Sequence, residues 1–203
     1  MDAVGVRWHE ETFEPDADKV RAADDAIAAL RARDSPSHDG TAGRLFSFQE
    51  TEDGGLHLEL QTVRWALRLV DGDASDSMAA LCIVRDDDGR WLAGRRAAWL
   101  STWAGRWALG AGGAVDMGES PAETLTRELR EEWSVAPERV QAEALVRLPH
   151  HLVMFIGMAW LPEGAEVTPD DEHDAFAWWP ADVAEWPGEA DEPLRRMATL
   201  LAA

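Results

Sequence analysis

Basic side chains are scarce in this sequence: 19 lysines and arginines stand against 39 aspartates and glutamates, for a formal net charge of −20. Nucleic-acid binding depends on cations that displace counterions from phosphates, so a DNA- or RNA-coating role is not expected. The same negative field repels small phosphorylated molecules unless metal ions stand between carboxylates and phosphates. Cysteine is nearly absent. The lone Cys82, inside the apolar run 79–84, permits no intramolecular disulfide and no thiolate metal site, and reads as a small core residue in a reducing cytoplasm. No stretch approaches the roughly 18 consecutive apolar residues of a membrane span. The N-terminus MDAVGVRWHEETFEPD also lacks a basic region followed by an apolar one. The expectation is a cytoplasmic protein with neither membrane nor nucleic-acid polymer as partner.

What is present suits one medium domain with an N-terminal extension, since 203 residues fall short of two full domains. Residues 17–33 place Val20, Ala23, Ile27 and Leu30 on one helical stripe. A polar linker (35–43) precedes two alternating stretches, RLFSFQE and LHLELQTVRWALRLV, around a Glu-Asp-Gly-Gly turn, and DGDASDS (71–77) makes a second break. Residues 1–75 therefore read as an accessory helix and β-hairpin, and 76–203 as the main domain. In the latter, AALCIV and RWLAGRR form a hairpin, EALVRL, HLVMFIGMAWL and AFAWW are further strands, and EPLRRMATLLAA is a helix. Strands and helices mix without a regular βαβ repeat, which predicts an α+β or α/β sandwich rather than a Rossmann fold.

The chemistry concentrates in GGAVDMGESPAETLTRELREEW, residues 112–133. Ser120-Pro121-Ala122-Glu123 is a capping box with proline in the first turn, which specifies a helix start. On the following helix Leu125 and Leu129 lie about 40° apart on the core-facing side, and Glu132 falls about 20° from Leu125. Glu128 and Glu132 thus sit at the edge of the buried stripe, with Glu131 flanking them. The same wheel turns Arg127 and Arg130 to the far side. Glu128 and Glu132 are a like-charge i, i+4 pair, which destabilises a helix by a few tenths of a kcal/mol when exposed and more when half buried. A hard cation with oxygen ligands, Mg²⁺ or Mn²⁺, would compensate. A merely solvated acidic face is the competing reading of REXXEE alone. A P-loop is not: Gly113 to Gly118 has its glycine spacing, but Glu119 stands where lysine is required.

From Gly113, five residues lead to Glu119, seven more to Arg127-Glu128, then Leu129, Glu131-Glu132, Ser134 and Val135. This closely resembles the Nudix box, G-x5-E-x7-R-E-U-x-E-E-x-G-U with U a bulky apolar residue, departing only in Ser134 for glycine. The resemblance extends over roughly residues 76 to 185. It implies an α/β/α sandwich around a mixed sheet and a pyrophosphohydrolase acting on a nucleoside diphosphate linked to another moiety. Carried over, Glu128 and Glu132 would be the main metal ligands, Glu131 a further ligand or water-orienting group, and the Gly112 carbonyl a backbone ligand, with Glu119 and Arg127 pairing to the glutamates. A further acidic residue from a late loop is also implied. Glu172 in PDDEHD is the choice for it, with Asp171 and Glu166 as rivals.

Arg95 and Arg96 are candidates to contact substrate phosphate, and Trp99, Trp103 and Trp107 to stack on a base. His150-His151 reads as turn surface. A nucleotide sugar or ADP-ribose type is one candidate substrate, and the sequence has no tyrosine, one usual marker of dinucleoside polyphosphate hydrolysis. The N-terminal hairpin is similar to accessory strands through which sugar-diphosphate hydrolases dimerise, so a homodimer is implied. The alternative is a catalytically silent Nudix module acting as a ligand sensor or interaction domain.

Overall fold

Alternating apolar strands build two sheets. A computed structural model describes residues 4–33, 35, 39–70, 75–100, 102–148 and 151–202. The N-terminal segment contains β1 (Val4–Thr12), α1 (Ala17–Arg31), β2 (Thr41–Glu50), β3 (Leu56–Arg64) and a 3-10 turn (Trp65–Leu69). There follow β4 (Met78–Arg85), β5 (Trp91–Arg96), β6 (Trp107–Leu109), β7 (Ala111–Ala114) and α2 (Pro121–Trp133). The chain ends with β8 (Arg139–Arg147), β9 (Val153–Trp160), β10 (His173–Trp179), a short 3-10 turn (Val183–Glu185) and α3 (Glu192–Leu201).

The larger sheet is ordered β10-β5-β4-β9-β8, with β6 joined to β5 and β7 to β4. It is mixed, because β4 and β9 run parallel while β5–β10 and β8–β9 are antiparallel. Successive strand residues face opposite sides, and here both sides are covered. Cys82, Val84, Leu92 and Phe155 pack with Leu125, Leu129 and Trp133 of α2. Ile83, Trp91, Ala93 and Met158 pack with Leu194, Met197 and Ala198 of α3. Burial on both faces is why the β4 sequence is continuously apolar, and the result is the expected α/β/α sandwich.

The hairpin expected of β4 and β5 is reduced to one pair, Arg85↔Trp91. Beyond it the strands diverge, β7 pairing with β4 and β6 with β5. Neither short strand is foreseen, since three or four residues carry too little alternation to show a period. Gly110 turns the chain between them at φ 61°.

The N-terminal segment differs more. β1, where no strand is predicted, adds parallel to β3, giving a second sheet ordered β1-β3-β2. The strand predicted to run to Val70 stops at Arg64 and becomes the 3-10 turn. α1 buries Ala23, Ile27 and Leu30 but leaves Val20 exposed. Residues 36–38 and 71–74 of the two predicted breaks lie outside the described residues. The segment does not stand apart from the rest: Leu45, Leu56, Leu58 and Leu60 share one core with Met78, Ala80, Val115 and α2. Trp8 Nε1 donates to the Glu119 carbonyl at 2.9 Å, and the Gly43 N–H to the Val115 carbonyl at 2.7 Å.

α2 begins as expected. Ser120 Oγ accepts from the Glu123 N–H at 3.2 Å, and Glu123 accepts from the Ser120 N–H at 2.7 Å. It ends at Ser134 in the left-handed region, φ 53°, ψ 30°, where a Cβ is disfavoured. Ser134→Gly is therefore expected to stabilise the protein by about 0.5–1 kcal/mol, measured as a higher urea midpoint with an unchanged slope.

Candidate active site

The inner face of α2 lies against β7, and glycines make that approach feasible. A Cβ on Gly113 would stand 2.0 Å from Oε1 of Glu128, so the carboxylate occupies space that any other residue would fill. Glu128 and Glu132 are both buried, at 9% and 4% exposure, whereas the Glu131 side chain is 58% exposed. The Gly112 N–H donates to Glu132 Oε1 at 3.0 Å. In an antiparallel ladder the N–H and C=O of one residue face the same edge, so the Gly112 carbonyl faces the edge that Glu132 occupies.

Arg127 corrects the helical-wheel expectation. It does not point away; it lies among the carboxylates, as the family resemblance implies. Its Nε donates to Glu119 Oε1 at 2.9 Å, its Nη1 to Glu128 Oε1 at 2.7 Å and to Glu131 Oε2 at 3.0 Å, and its Nη2 to the Ala114 carbonyl at 3.1 Å. Thr124 Oγ1 donates to Glu119 at 2.9 Å. A wheel drawn for an isolated helix misses this because Glu119 precedes the helix and the loop returns it to the α2 surface. Arg130 is exposed.

The late loop is pinned to the end of α2, the Thr168 N–H donating to the Trp133 carbonyl at 2.9 Å and the Asp170 N–H to the Glu132 carbonyl at 2.8 Å. Of the three acidic candidates there, Glu172 alone is partly buried; Glu166 and Asp171 are exposed. The charge of Glu172 acts on both Glu128 and Glu132. Arg96 Nη2 stands 3.6 Å from Glu172 Oε2. Arg95, one residue earlier in β5, pairs instead with Asp174 at 2.6 Å, so the two arginines do not act together. Trp99 and Trp103 are exposed, but Trp107 packs on Trp179, ring centres 5.5 Å apart, in the second core. His151 is half-buried, and His150 lies outside the described residues.

Burial pushes Glu132 well above the usual carboxylate range; the Gly112 N–H opposes this, while Glu128 and Glu172 add to it. Burial also raises Glu128 against the pull of Arg127, and Glu172 against that of Arg96. For Glu119 burial acts in the same sense, but Arg127 and Thr124 outweigh it and hold the carboxyl below its ordinary value. A carboxyl raised on folding contributes stability below its unfolded pKa and loses it as pH rises through the folded value. Metal-free protein is thus expected to lose the Glu132 contribution progressively above pH 4.5. Urea midpoints across pH in chelator should fall less steeply for Glu132→Gln than for wild type.

The donor chemistry fits a hard divalent cation: carboxylate oxygens and a backbone carbonyl, with a cradle at Gly113 that a Cβ would fill. The oxygens of Glu128, Glu131 and Glu132 do not gather within 4.8 Å of one another; among the described residues Asp86, Asp87 and Asp88 do. That second group lies in the β4–β5 turn and is offset by Arg90, 2.7 Å from Asp86 and 3.5 Å from Asp88.

The family model of the NUDIX domain matches residues 76–201. The chain belongs to the Nudix family. Similar solved structures include a MutT NUDIX hydrolase from Burkholderia pseudomallei, 24% identical over 62% of this chain and 97% of that one, TM-score 0.51. The NUDIX domain of Shewanella oneidensis NrtR, complexed with ADP ribose, is 20% identical over 62% and 85%, TM-score 0.49. A MutT/nudix family protein from Enterococcus faecalis is 20% identical over 51% and 43%, TM-score 0.45, so this chain spans less than half of that protein. The likeness to the Burkholderia pseudomallei hydrolase shows the fold. No protein of curated function matches the chain.

In this Nudix chain two residues at the site escape the sequence reading. His173 is buried, its Nε2 3.7 Å from Glu132 Oε2 and its Nδ1 3.4 Å from Asp170, and its ring lies 4.5 Å from that of Trp133. Asp170 also accepts from the Glu172 N–H at 3.0 Å. Both are hidden in PDDEHD, which reads as a solvated loop; the sole local signal is that His173 opens the apolar β10. No described helix is long and apolar enough to cross a membrane.

Proposed function

We propose that this protein is a metal-dependent pyrophosphohydrolase that cleaves the diphosphate linkage of a nucleoside diphosphate joined to a second moiety, of the nucleotide-sugar or ADP-ribose kind. The observation that supports it best is the burial of two like-charged glutamates one turn apart, Glu128 and Glu132, against Gly112 and Gly113. Such a pair is unfavourable without a cation.

Glu128, Glu132 and the Gly112 carbonyl would hold Mg²⁺ or Mn²⁺, with Glu131 reaching in from the exposed side. When bound, the cation supplies charge neutralisation on the diphosphate and activation of water. The chain supplies the rest. Arg127, braced by Glu119, fixes the rotamers of Glu128 and Glu131. Glu172, its pKa raised by burial, is suited to accept the proton of the attacking water. Arg96 orients Glu172 and is the better placed of the two arginines for a substrate phosphate, since Asp174 already engages Arg95. Trp99 and Trp103 offer exposed ring faces to a base.

Residues 1–75 act as an accessory segment to a catalytic 76–203. β2 is an edge strand with Phe46 and Phe48 exposed, a surface suited to a second copy in a homodimer. The test is Mg²⁺- or Mn²⁺-dependent phosphate release, coupled to a phosphatase, across ADP-ribose, nucleotide sugars, dinucleoside polyphosphates and nucleoside triphosphates. Turnover of at least one is expected. Folded protein that turns over none would favour a silent ligand-sensing or interaction module.

A further inference from the structure

Arg68 lies in the 3-10 turn Trp65–Leu69 that follows β3, outside the residues matched by the family model. Its neighbours Ala66 and Leu67 are wholly buried, in a cluster that includes Ala114. Ala114 directly follows Gly113, and its carbonyl accepts from Arg127. The turn therefore sits against the glycine strand that cradles Glu128, and the Trp8 and Gly43 hydrogen bonds to residues 119 and 115 hold it there.

The other arginines around it are engaged. Arg64 pairs with Asp24 at 2.7 Å and with Asp39 at 2.8 Å, and Arg44 donates to Gln61 at 2.8 Å and to the Ser75 carbonyl at 2.7 Å. Arg68 is partly buried, and among the described residues it makes no ion pair or hydrogen bond; its one described contact places Cζ 5.6 Å from the centre of the Trp65 ring. Burial pushes its pKa down to about 10, and the charge that opposes this is Glu128. Glu128 is already bonded by Arg127 at 2.7 Å, and the Arg68 nitrogens are not among the enclosed, unpartnered polar atoms, so they are open to solvent and to a ligand. A guanidinium presents five N–H groups in a planar fork that matches phosphate oxygens.

We propose that Arg68 is a substrate-binding residue, its guanidinium receiving a phosphate oxygen of the diphosphate held at Glu128 and Glu132, so that the N-terminal segment completes the site from within the same chain. This rests on the reading of the site as a diphosphate hydrolase. It makes residues 1–75 part of the recognition machinery, and the match to Arg is chemical: lysine would supply charge without the fork.

The test uses the full chain and methylenediphosphonate with Mg²⁺ as a non-hydrolysable probe. Calorimetry should show Arg68→Met binding the probe roughly ten- to a hundredfold more weakly than wild type, with Mn²⁺ affinity in the absence of probe no weaker than wild type. Arg68→Lys should recover part of the loss. In wild type, the Arg68 Nε–H resonance, assigned by its disappearance in Arg68→Lys, should shift when Mg²⁺-methylenediphosphonate is added. Unchanged probe affinity in folded Arg68→Met, or an Nε–H resonance indifferent to the probe, overturns the proposal. If Arg68→Met does not fold, the resonance and Arg68→Lys decide. Failure of wild type to bind Mn²⁺ would instead remove the hydrolase reading itself.

Discussion

Glu132→Gln is expected to lower kcat/KM for the metal-dependent reaction by about a thousandfold or more, since loss of a metal ligand removes several kcal/mol of transition-state stabilisation. The amide keeps the size of the carboxylate, and its oxygen can still accept from the Gly112 N–H, now at 3.0 Å. What disappears is a charge that burial disfavours in the metal-free protein. Stability in chelator should thus be equal to or above wild type, while Mn²⁺ affinity falls. Opposite signs for stability and activity distinguish a ligand from a packing residue, which would lose both. A variant that keeps more than about a tenth of wild-type kcat/KM would contradict the assignment of Glu132 as a principal ligand.

Gly110→Ala is expected to cost more than about 3 kcal/mol, among the largest effects of a single methyl group in this fold. The residue has φ 61°, and an added Cβ would stand 1.7 Å from the carbonyl oxygen of Cys82 and 2.8 Å from its carbonyl carbon. Both atoms belong to the β4 backbone, so no side-chain rotation relieves the clash. Relief requires β7 to move off β4, which also pulls at the Trp133 Nε1 bond to the Gly110 carbonyl, 3.0 Å long. Mn²⁺ binding should weaken with it, because Gly112 is two residues on. Gly118→Ala is the control: its φ is 89°, but nothing lies within 4 Å of the added atom, so a loss of about 1 kcal/mol is expected. Urea denaturation that ranks the two variants equally would remove the special place given to the β6–β7 corner.

Residues 112–135 were legible because their structure is local. A capping box acts over three residues, a helix repeats every 3.6, and both survive in isolation from the rest of the chain. Glu128 and Glu132 could be located on the buried edge of α2 for that reason. Arg127 was misplaced by the same local reasoning, since its partner Glu119 reaches it through a loop that no wheel contains. The Arg95–Arg96 pair shows a further limit. Alternation says that the two face opposite sides of β5, but which side meets Glu172 depends on β10, whose register sets His173 opposite Arg96 and Ala175 opposite Arg95.

Sequence by itself determined the helix, its start and the class of the fold, because each follows from periodicity or from contacts a few residues apart. Tertiary structure decided which acidic side chain of the late loop approaches α2, that His173 lies against Glu132, that β1 joins β3, and that the Trp65–Leu69 turn packs against Ala114 of the glycine strand. Those outcomes rest on pairing between segments tens of residues apart, such as Val4 with Leu56 or Gly94 with Phe176. A register shift of one residue would exchange the faces of a strand without altering any local signal.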